Sequence, residues 1–128
     1  MISLPHAVRV FLHTPPTDLR KGFDALSGLV TAAFSQDPTS GHLFLFVNRR
    51  RDRLKILYWD RDGLAIWYKR LETGSFQLPV INRDAVSIEM SSTQLTLILS
   101  GIDLRSARQR KRYQRPIQEA HKSTSIPL

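Results

Sequence analysis

Three apolar runs separated by short polar links constrain the fold of this chain most strongly. The runs cover residues 42–47, 53–59 and 64–71. The first run is apolar at nearly every position, so we expect it to be covered on both faces of a sheet. The second link ends in Asp62-Gly63, a pair that suits the positive φ of a hairpin turn. The pattern predicts an antiparallel meander over residues 42–72.

One long helix is predicted on the N-terminal side of the meander. Apolar residues recur at helical spacing up to Phe34, which predicts a helix over about residues 18–34 that packs on one face of the sheet. Thr17 or Asp18 offers a side-chain oxygen that can cap its first turn. Arg20 and Lys21 would then occupy the first turn, where the helix dipole favours acids.

Weaker signals complete an α+β fold with a single domain. Short strand-like runs at residues 8–12 and 86–90 bring the predicted antiparallel sheet to about five strands. A short second helix is predicted over about residues 92–100, capped by Ser91 or Ser92 and ended by Gly101. A chain of 128 residues can bury enough surface to fold without disulfides, and it contains no cysteine.

The positive charge is concentrated at the C-terminal end. The net charge of the chain is +8, and residues 104–128 carry seven basic side chains and one acidic side chain. Basic segments with little apolar content commonly bind polyanions such as DNA or RNA, although an acidic protein partner or a purely solubilising role is the alternative. We therefore predict a domain over residues 1–103, followed by a basic and flexible tail over residues 104–128.

A second group of cations lies around the first link of the meander. In an extended chain, residues 49, 51, 53 and 55 would point to one side, and Leu54, Ile56 and Tyr58 to the other. Guanidinium groups in such a row would suit a phosphate backbone, although a charged hairpin tip that serves only solubility is the alternative. The predicted nucleic-acid-binding residues are Arg20, Lys21, Arg49, Arg50, Arg51, Arg53, Lys55, Lys69, Arg70, Arg105, Arg108, Arg110, Lys111, Arg112 and Arg115.

Four aromatic residues accompany these cations, namely Tyr58, Trp59, Trp67 and Tyr68. Exposed aromatic rings beside cations can stack on unpaired bases. Rings on adjacent strands more often pack against each other, so cross-strand packing is the favoured interpretation.

The sequence contains no pattern that is typical of an enzyme. Its carboxylates and its four histidines are dispersed, and no Gly-x-Ser-x-Gly or Gly-rich phosphate loop is present. We predict no catalytic residue, no metal site and no cofactor. No apolar stretch approaches the roughly 18 residues that span a bilayer, and the N-terminal residues lack the features of a signal peptide, so a cytoplasmic location without a membrane partner is expected.

Several stretches, taken in order, resemble a known family. Residues 17–26 (TDLRKGFDAL), 40–46 (SGHLFLF), 52–64 (DRLKILYWDRDGL) and 67–72 (WYKRLE) are similar to the second-open-reading-frame accessory proteins, called TnpB, of bacterial insertion sequences of the sixty-six group. The resemblance implies a non-catalytic accessory factor in DNA transposition, acting beside a separate transposase. Two partners remain open: duplex DNA at the element's ends or in a transposase complex, or the transposase itself without direct DNA contact.

Overall fold

The computed structural model of the chain describes residues 8–79 and 84–101. The described residues form an α+β fold with a five-stranded sheet and two helices, as predicted. In chain order the elements are β1 (Val10–His13), α1 (Phe23–Leu29) with a π-helical continuation (Val30–Phe34), β2 (Leu43–Val47), β3 (Arg53–Asp60), β4 (Gly63–Arg70), β5 (Ser87–Met90) and α2 (Ser92–Ser100).

The sheet is mixed, so the prediction of a wholly antiparallel sheet is wrong. The strand order is β4-β3-β2-β1-β5, and β2, β3 and β4 form the predicted antiparallel meander. However, β1 pairs with β2 in parallel, with Val10 opposite Leu43 and Leu12 opposite Leu45. The cause is the helix between these strands, because a crossover returns the chain to the end of the sheet from which it started.

The first helix is shorter than predicted and starts later. It begins at Phe23, and its α and π segments together contain 12 residues. Neither Thr17 nor Asp18 caps it, since Gly22 is the N-cap and no side chain bonds there. The backbone N–H of Thr17 instead donates to the carbonyl oxygen of Val47 at 2.9 Å, which ties this segment to the sheet. Arg20 and Lys21 therefore precede the helix, and no conflict with its dipole arises.

Two hydrophobic cores lie on opposite faces of the sheet. On one face α1 and its continuation cover a core that includes Phe11, Phe44, Phe46 and Leu57. On the other face α2 and Phe76 cover a core that includes residues of all three central strands. The central strand β2 contributes to both cores, because Phe44 and Phe46 face one way and Leu45 and Val47 the other. Its predicted burial on both faces is confirmed.

The ends of α2 confirm the predicted caps. The Ser91 side chain accepts from the backbone N–H of Gln94, and the Gln94 side chain accepts in return from the backbone N–H of Ser91, which together form a capping box. Gly101 ends the helix with a φ of 83°, a left-handed conformation that suits glycine.

The hairpin turn between β3 and β4 differs from the prediction in one detail. Asp60 lies opposite Gly63, so Arg61 and Asp62 form the turn. The positive φ belongs to Arg61, at 60°, and not to Gly63. None of the described helices is long and apolar enough to cross a bilayer.

His13, at the end of β1, makes stability depend on pH. Its ring lies between Phe34 and Phe46, at centroid distances of 5.8 and 5.7 Å. Burial lowers the pKa of His13 from the usual 6.5, and the nearby Val86 backbone opposes this only in part. Because the folded state favours the neutral ring, this contribution to stability is complete well above pH 6.5 and is lost as the pH falls toward the folded pKa.

Urea unfolding at pH 7.5 and 5.5 should show a lower free energy of unfolding at the lower pH. In His13→Leu the difference between the two pH values should be smaller, because the titrating ring is absent. An unchanged pH dependence in the variant would contradict the assignment.

Candidate nucleic-acid interface

A groove rich in arginine lies where the segment before α1 meets the loop between β2 and β3. Its volume is about 460 Å³, and one end of β4 contributes to its wall. Among the described residues, four arginines line it: Arg20 from the segment before α1, and Arg49, Arg50 and Arg53 from the loop and the start of β3. We call this surface the arginine groove. It joins cations that are about 30 residues apart in the chain, which the sequence alone did not reveal.

Asn48 folds the loop that carries two of these arginines, Arg49 and Arg50. Its Oδ1 atom accepts from the backbone N–H groups of Asp52 and Arg53, at 3.1 and 3.0 Å. Its Nδ2 atom donates to the Asp52 carboxylate at 2.6 Å, and its carbonyl oxygen accepts from the backbone N–H of Arg51 at 3.0 Å. Local hydrogen bonds therefore define the loop, and the side chains of Arg49 and Arg50 project from it, exposed.

The predicted row of alternating cations does not exist, because β3 begins only at Arg53. Residues 49–52 form a turn, in which Arg51 has a φ of 60°. The other half of that prediction is confirmed: Leu54, Ile56 and Tyr58 all face the core under α2. The arginines therefore form a cluster around a concave surface and not a linear row.

The arginines of the groove differ in how far they are neutralised. Arg20 makes an ion pair with Asp18 at 2.6 Å. Hydrogen bonds from the side chain and the backbone of Arg20 hold the pKa of the Asp18 carboxyl well below its usual range. Arg53 donates to the Tyr68 hydroxyl at 3.4 Å. Within residues 8–79 and 84–101, the side chains of Arg49 and Arg50 make no hydrogen bond or ion pair, so both are available to an anion.

Lys55 is a predicted contact that the structure places differently. The residue is buried, with 9% of its surface exposed. Its Nζ atom donates to the carbonyl oxygen of Lys21 at 2.9 Å and lies 4.8 Å from the centroid of the Tyr68 ring. Lys55 therefore ties the segment that carries Arg20 to the sheet. A lysine within an apolar run is the sequence signal for this buried role, which the pattern of exposed cations does not predict.

The remaining predicted cations lie around the groove or away from it. Lys69 is opposite Leu54, which places it on the face that α2 covers, away from the groove. Arg70 is opposite Arg53 and makes an ion pair with Glu72 at 3.1 Å. Arg51 and Lys21 are exposed but do not line the groove. The predicted contacts of the tail lie outside the described residues: Arg105, Arg108, Arg110, Lys111, Arg112 and Arg115.

The four aromatic residues have different environments. Tyr58 packs against the core under α2, and the Trp59 indole donates to the carbonyl oxygen of Arg61 at 3.1 Å. Tyr68 lines the groove and is 48% exposed. Trp67, which is 40% exposed, points to the opposite face of the same strand. Of these four aromatic residues, Tyr68 is thus the one that shares a surface with Arg49 and Arg50.

The fold and the groove define a small α+β protein with a cationic surface site. In the described part of the chain, no group of three or more potential metal ligands lies together. Comparison with known proteins gives its family. The family model described as IS66 Orf2 like protein matches residues 8–109, and the chain belongs to this insertion-sequence family. The resemblance seen in the sequence is confirmed.

Two curated relatives come from Sinorhizobium fredii, and both are described as uncharacterized. The protein y4jC is 35% identical over 120 residues, which cover 94% of this chain and all of the relative. The protein y4hO is 37% identical over 105 residues, which cover 82% of this chain and 90% of the relative. No solved structure matches the chain.

Replacing Lys55 should loosen one wall of the groove. In Lys55→Met the carbonyl oxygen of Lys21 loses its donor, a bond worth about 1 kcal/mol, so backbone amides of residues 19–22 should exchange with solvent roughly fivefold faster. Hydrogen exchange followed by mass spectrometry measures this. Lys69→Met is the matched control, since it removes a lysine from the next strand on the other face. Equal exchange in both variants would show that Lys55 does not hold the segment.

Proposed function

We propose that this chain is a non-catalytic accessory factor in the transposition of an insertion sequence, and that it binds duplex DNA through the arginine groove. The DNA would be the ends of the element or the complex that the transposase forms on them. The observation that carries the proposal is the convergence of four arginines from two separate segments around one groove, two of them without a partner in the described residues. The proposal places the protein in the cytoplasm with the element's DNA.

The chemistry of the groove supports phosphate as its ligand. A planar guanidinium group matches a phosphate in a bidentate way, and each neutralised phosphate releases counterions from the DNA. Asp18 and Asp52 also line the groove, which reduces its positive potential. Binding should therefore be moderate in strength, steeply dependent on salt and weakly dependent on sequence.

The environment of the carboxylates supports a non-catalytic role. Asp18 is paired with Arg20, and Asp52 accepts from the side chain of Asn48. A carboxylate bound in this way is poorly suited to hold a metal ion or to accept a proton. Strand transfer in this proposal belongs to the transposase.

The tail would provide a second contact with DNA. Its six positive charges between residues 105 and 115, with no acid among them, exceed the charge of the groove. Such a segment would add affinity for any duplex, because phosphate contacts carry no sequence information. The groove would then fix the position of the domain on the DNA, and the tail would provide most of the electrostatic attraction.

Removing one free arginine should weaken binding and reduce its salt dependence. We expect Arg49→Gln and Arg50→Gln each to lower affinity for a 24-base-pair duplex about fivefold, and to reduce the slope of log K against log salt by about 1. Arg61→Gln is the matched control, because it removes the same charge at the opposite end of the β3–β4 hairpin. Fluorescence anisotropy at several salt concentrations measures both quantities.

Two outcomes of this experiment would contradict the proposal. If Arg61→Gln weakened binding as much as Arg49→Gln, the attraction would come from net charge and not from the groove. If the wild-type protein bound no DNA at low salt, the alternative of a transposase-binding module would be favoured. Trp67, exposed on the edge strand β4, would be the natural contact for such a partner.

Removing the acid that neutralises Arg20 should strengthen binding. Asp18→Asn keeps the oxygen that accepts from the backbone N–H of Arg20 but frees its guanidinium group and removes a negative charge from the groove. Because both changes favour a phosphate in the groove, affinity for duplex DNA should rise about fivefold.

Asp62→Asn is the matched control for this variant. It changes the net charge equally, but Asp62 lies at the far end of strands of eight residues, roughly 24 Å from the groove. Because this distance exceeds the Debye length of about 10 Å, its affinity should change little. A gain in affinity of the same size in both variants would mean that the position of the charge is unimportant.

A further inference from the structure

One ring in the arginine groove is not explained by the packing of the core. On the face of β4 that α1 covers, Leu64, Ile66 and Tyr68 follow one another at alternate positions. Leu64 and Ile66 pack against the core under α1. Tyr68 belongs to neither core of the described residues, and about half of it is exposed in the groove. A large aromatic side chain is therefore presented to solvent beside Arg49 and Arg50, which have no partner among the described residues.

Two basic side chains, one buried and one in the groove, hold this ring in place. The Nζ atom of Lys55 lies 4.8 Å from the ring centroid, and Arg53 donates to the Tyr68 hydroxyl at 3.4 Å. Lys55 is itself fixed by its bond to the carbonyl oxygen of Lys21. The ring is thus positioned before any ligand arrives, which lowers the entropic cost of stacking on it.

We infer that Tyr68 is a stacking platform for an unpaired base, so that the arginine groove recognises duplex DNA bordered by an unpaired nucleotide. Inside a duplex both faces of each base are covered by neighbouring bases, so the ring can meet only an unpaired base or the outer face of a terminal base pair. Arg49 and Arg50 would hold the phosphates that flank this nucleotide. The inference rests on the proposed function and adds the form of DNA that the groove selects.

Electrostatics and stacking lead to opposite expectations, which makes the inference testable. If charge alone governed binding, a duplex of greater length would bind at least as well as a shorter duplex with a single-stranded extension, because single strands release fewer counterions per phosphate. Stacking on Tyr68 adds a contact with unpaired bases, which only the extension provides; both DNA molecules have a blunt end, so stacking on a terminal base pair does not favour the extended one. A preference for the extended DNA would therefore indicate stacking on Tyr68, because electrostatic attraction alone would not produce it.

The test compares two DNA molecules in anisotropy at one salt concentration. One is a blunt duplex of 24 base pairs, and the other has 20 base pairs and a single-stranded extension of four thymidines. We expect the wild-type protein to bind the extended DNA at least about fivefold more tightly, since stacking of one base on an aromatic side chain contributes on this scale.

Variants of β4 identify the group that is responsible. Tyr68→Ala should abolish the preference for the extended DNA. Tyr68→Phe should keep the preference, because it retains the ring and loses only the hydroxyl contact with Arg53. Trp67→Ala removes a ring of similar exposure from the opposite face of the strand and should also keep it. Tyr68→Leu, which maintains apolar contact on the strand, should behave as Tyr68→Ala, and thermal unfolding of each variant confirms that it is folded.

Three outcomes would overturn the inference: equal binding of both DNA molecules by the wild-type protein, a preference that persists in Tyr68→Ala and Tyr68→Leu, or a preference that Tyr68→Phe loses. In each case, binding that still depends on Arg49 and Arg50 would leave the proposed function intact. If neither DNA molecule bound and Arg49→Gln had no effect, the proposed function itself would fail, which is a distinguishable result.

Discussion

The burial of β2 on both faces is the constraint on which the rest of the structure depends. Phe44 and Phe46 pack beneath the first helix, and Leu45 and Val47 pack beneath α2 and Phe76. A strand with no solvated face must be internal to the sheet, so it requires a partner on each side. The chain provides β3 through a short loop and β1 through the helical crossover, and this explains why one pairing is antiparallel and the other parallel.

The same strand explains where the arginine groove lies. Val47, the last residue of β2, accepts a backbone hydrogen bond from Thr17, which anchors the segment that leads to Arg20. Asn48, the next residue, folds the loop that carries Arg49 and Arg50. Both walls of the groove are therefore attached at one end of β2, through its last residue and the residue that follows, and the core holds this strand rigidly. A surface site built on such a strand keeps its geometry although its own residues are exposed.

Local signals in the sequence predicted part of this structure, and contacts between distant residues decided the rest. The meander and the capped helix α2 were predictable because turn residues and caps act within a few positions. The start of the first helix was not, because Thr17 bonds to Val47, 30 residues away. Nor was the role of Lys55, which bonds to a backbone group 34 residues away. The concave arrangement of Arg20, Arg49, Arg50 and Arg53 also depends on these distant contacts.

The charge balance of the groove limits what its arginines can achieve alone. Asp18 neutralises Arg20, and Asp52 lies on the same surface, so the net charge near the groove is smaller than a count of its arginines indicates. A weakly positive groove attracts any duplex to a similar extent and cannot select one form of DNA from another. Selection needs a contact that depends on the state of the bases, and the half-exposed ring of Tyr68 is the group in this groove whose chemistry can provide it. The acids that weaken the attraction would then serve selectivity, because the smaller the contribution of charge to binding, the larger the share that stacking decides.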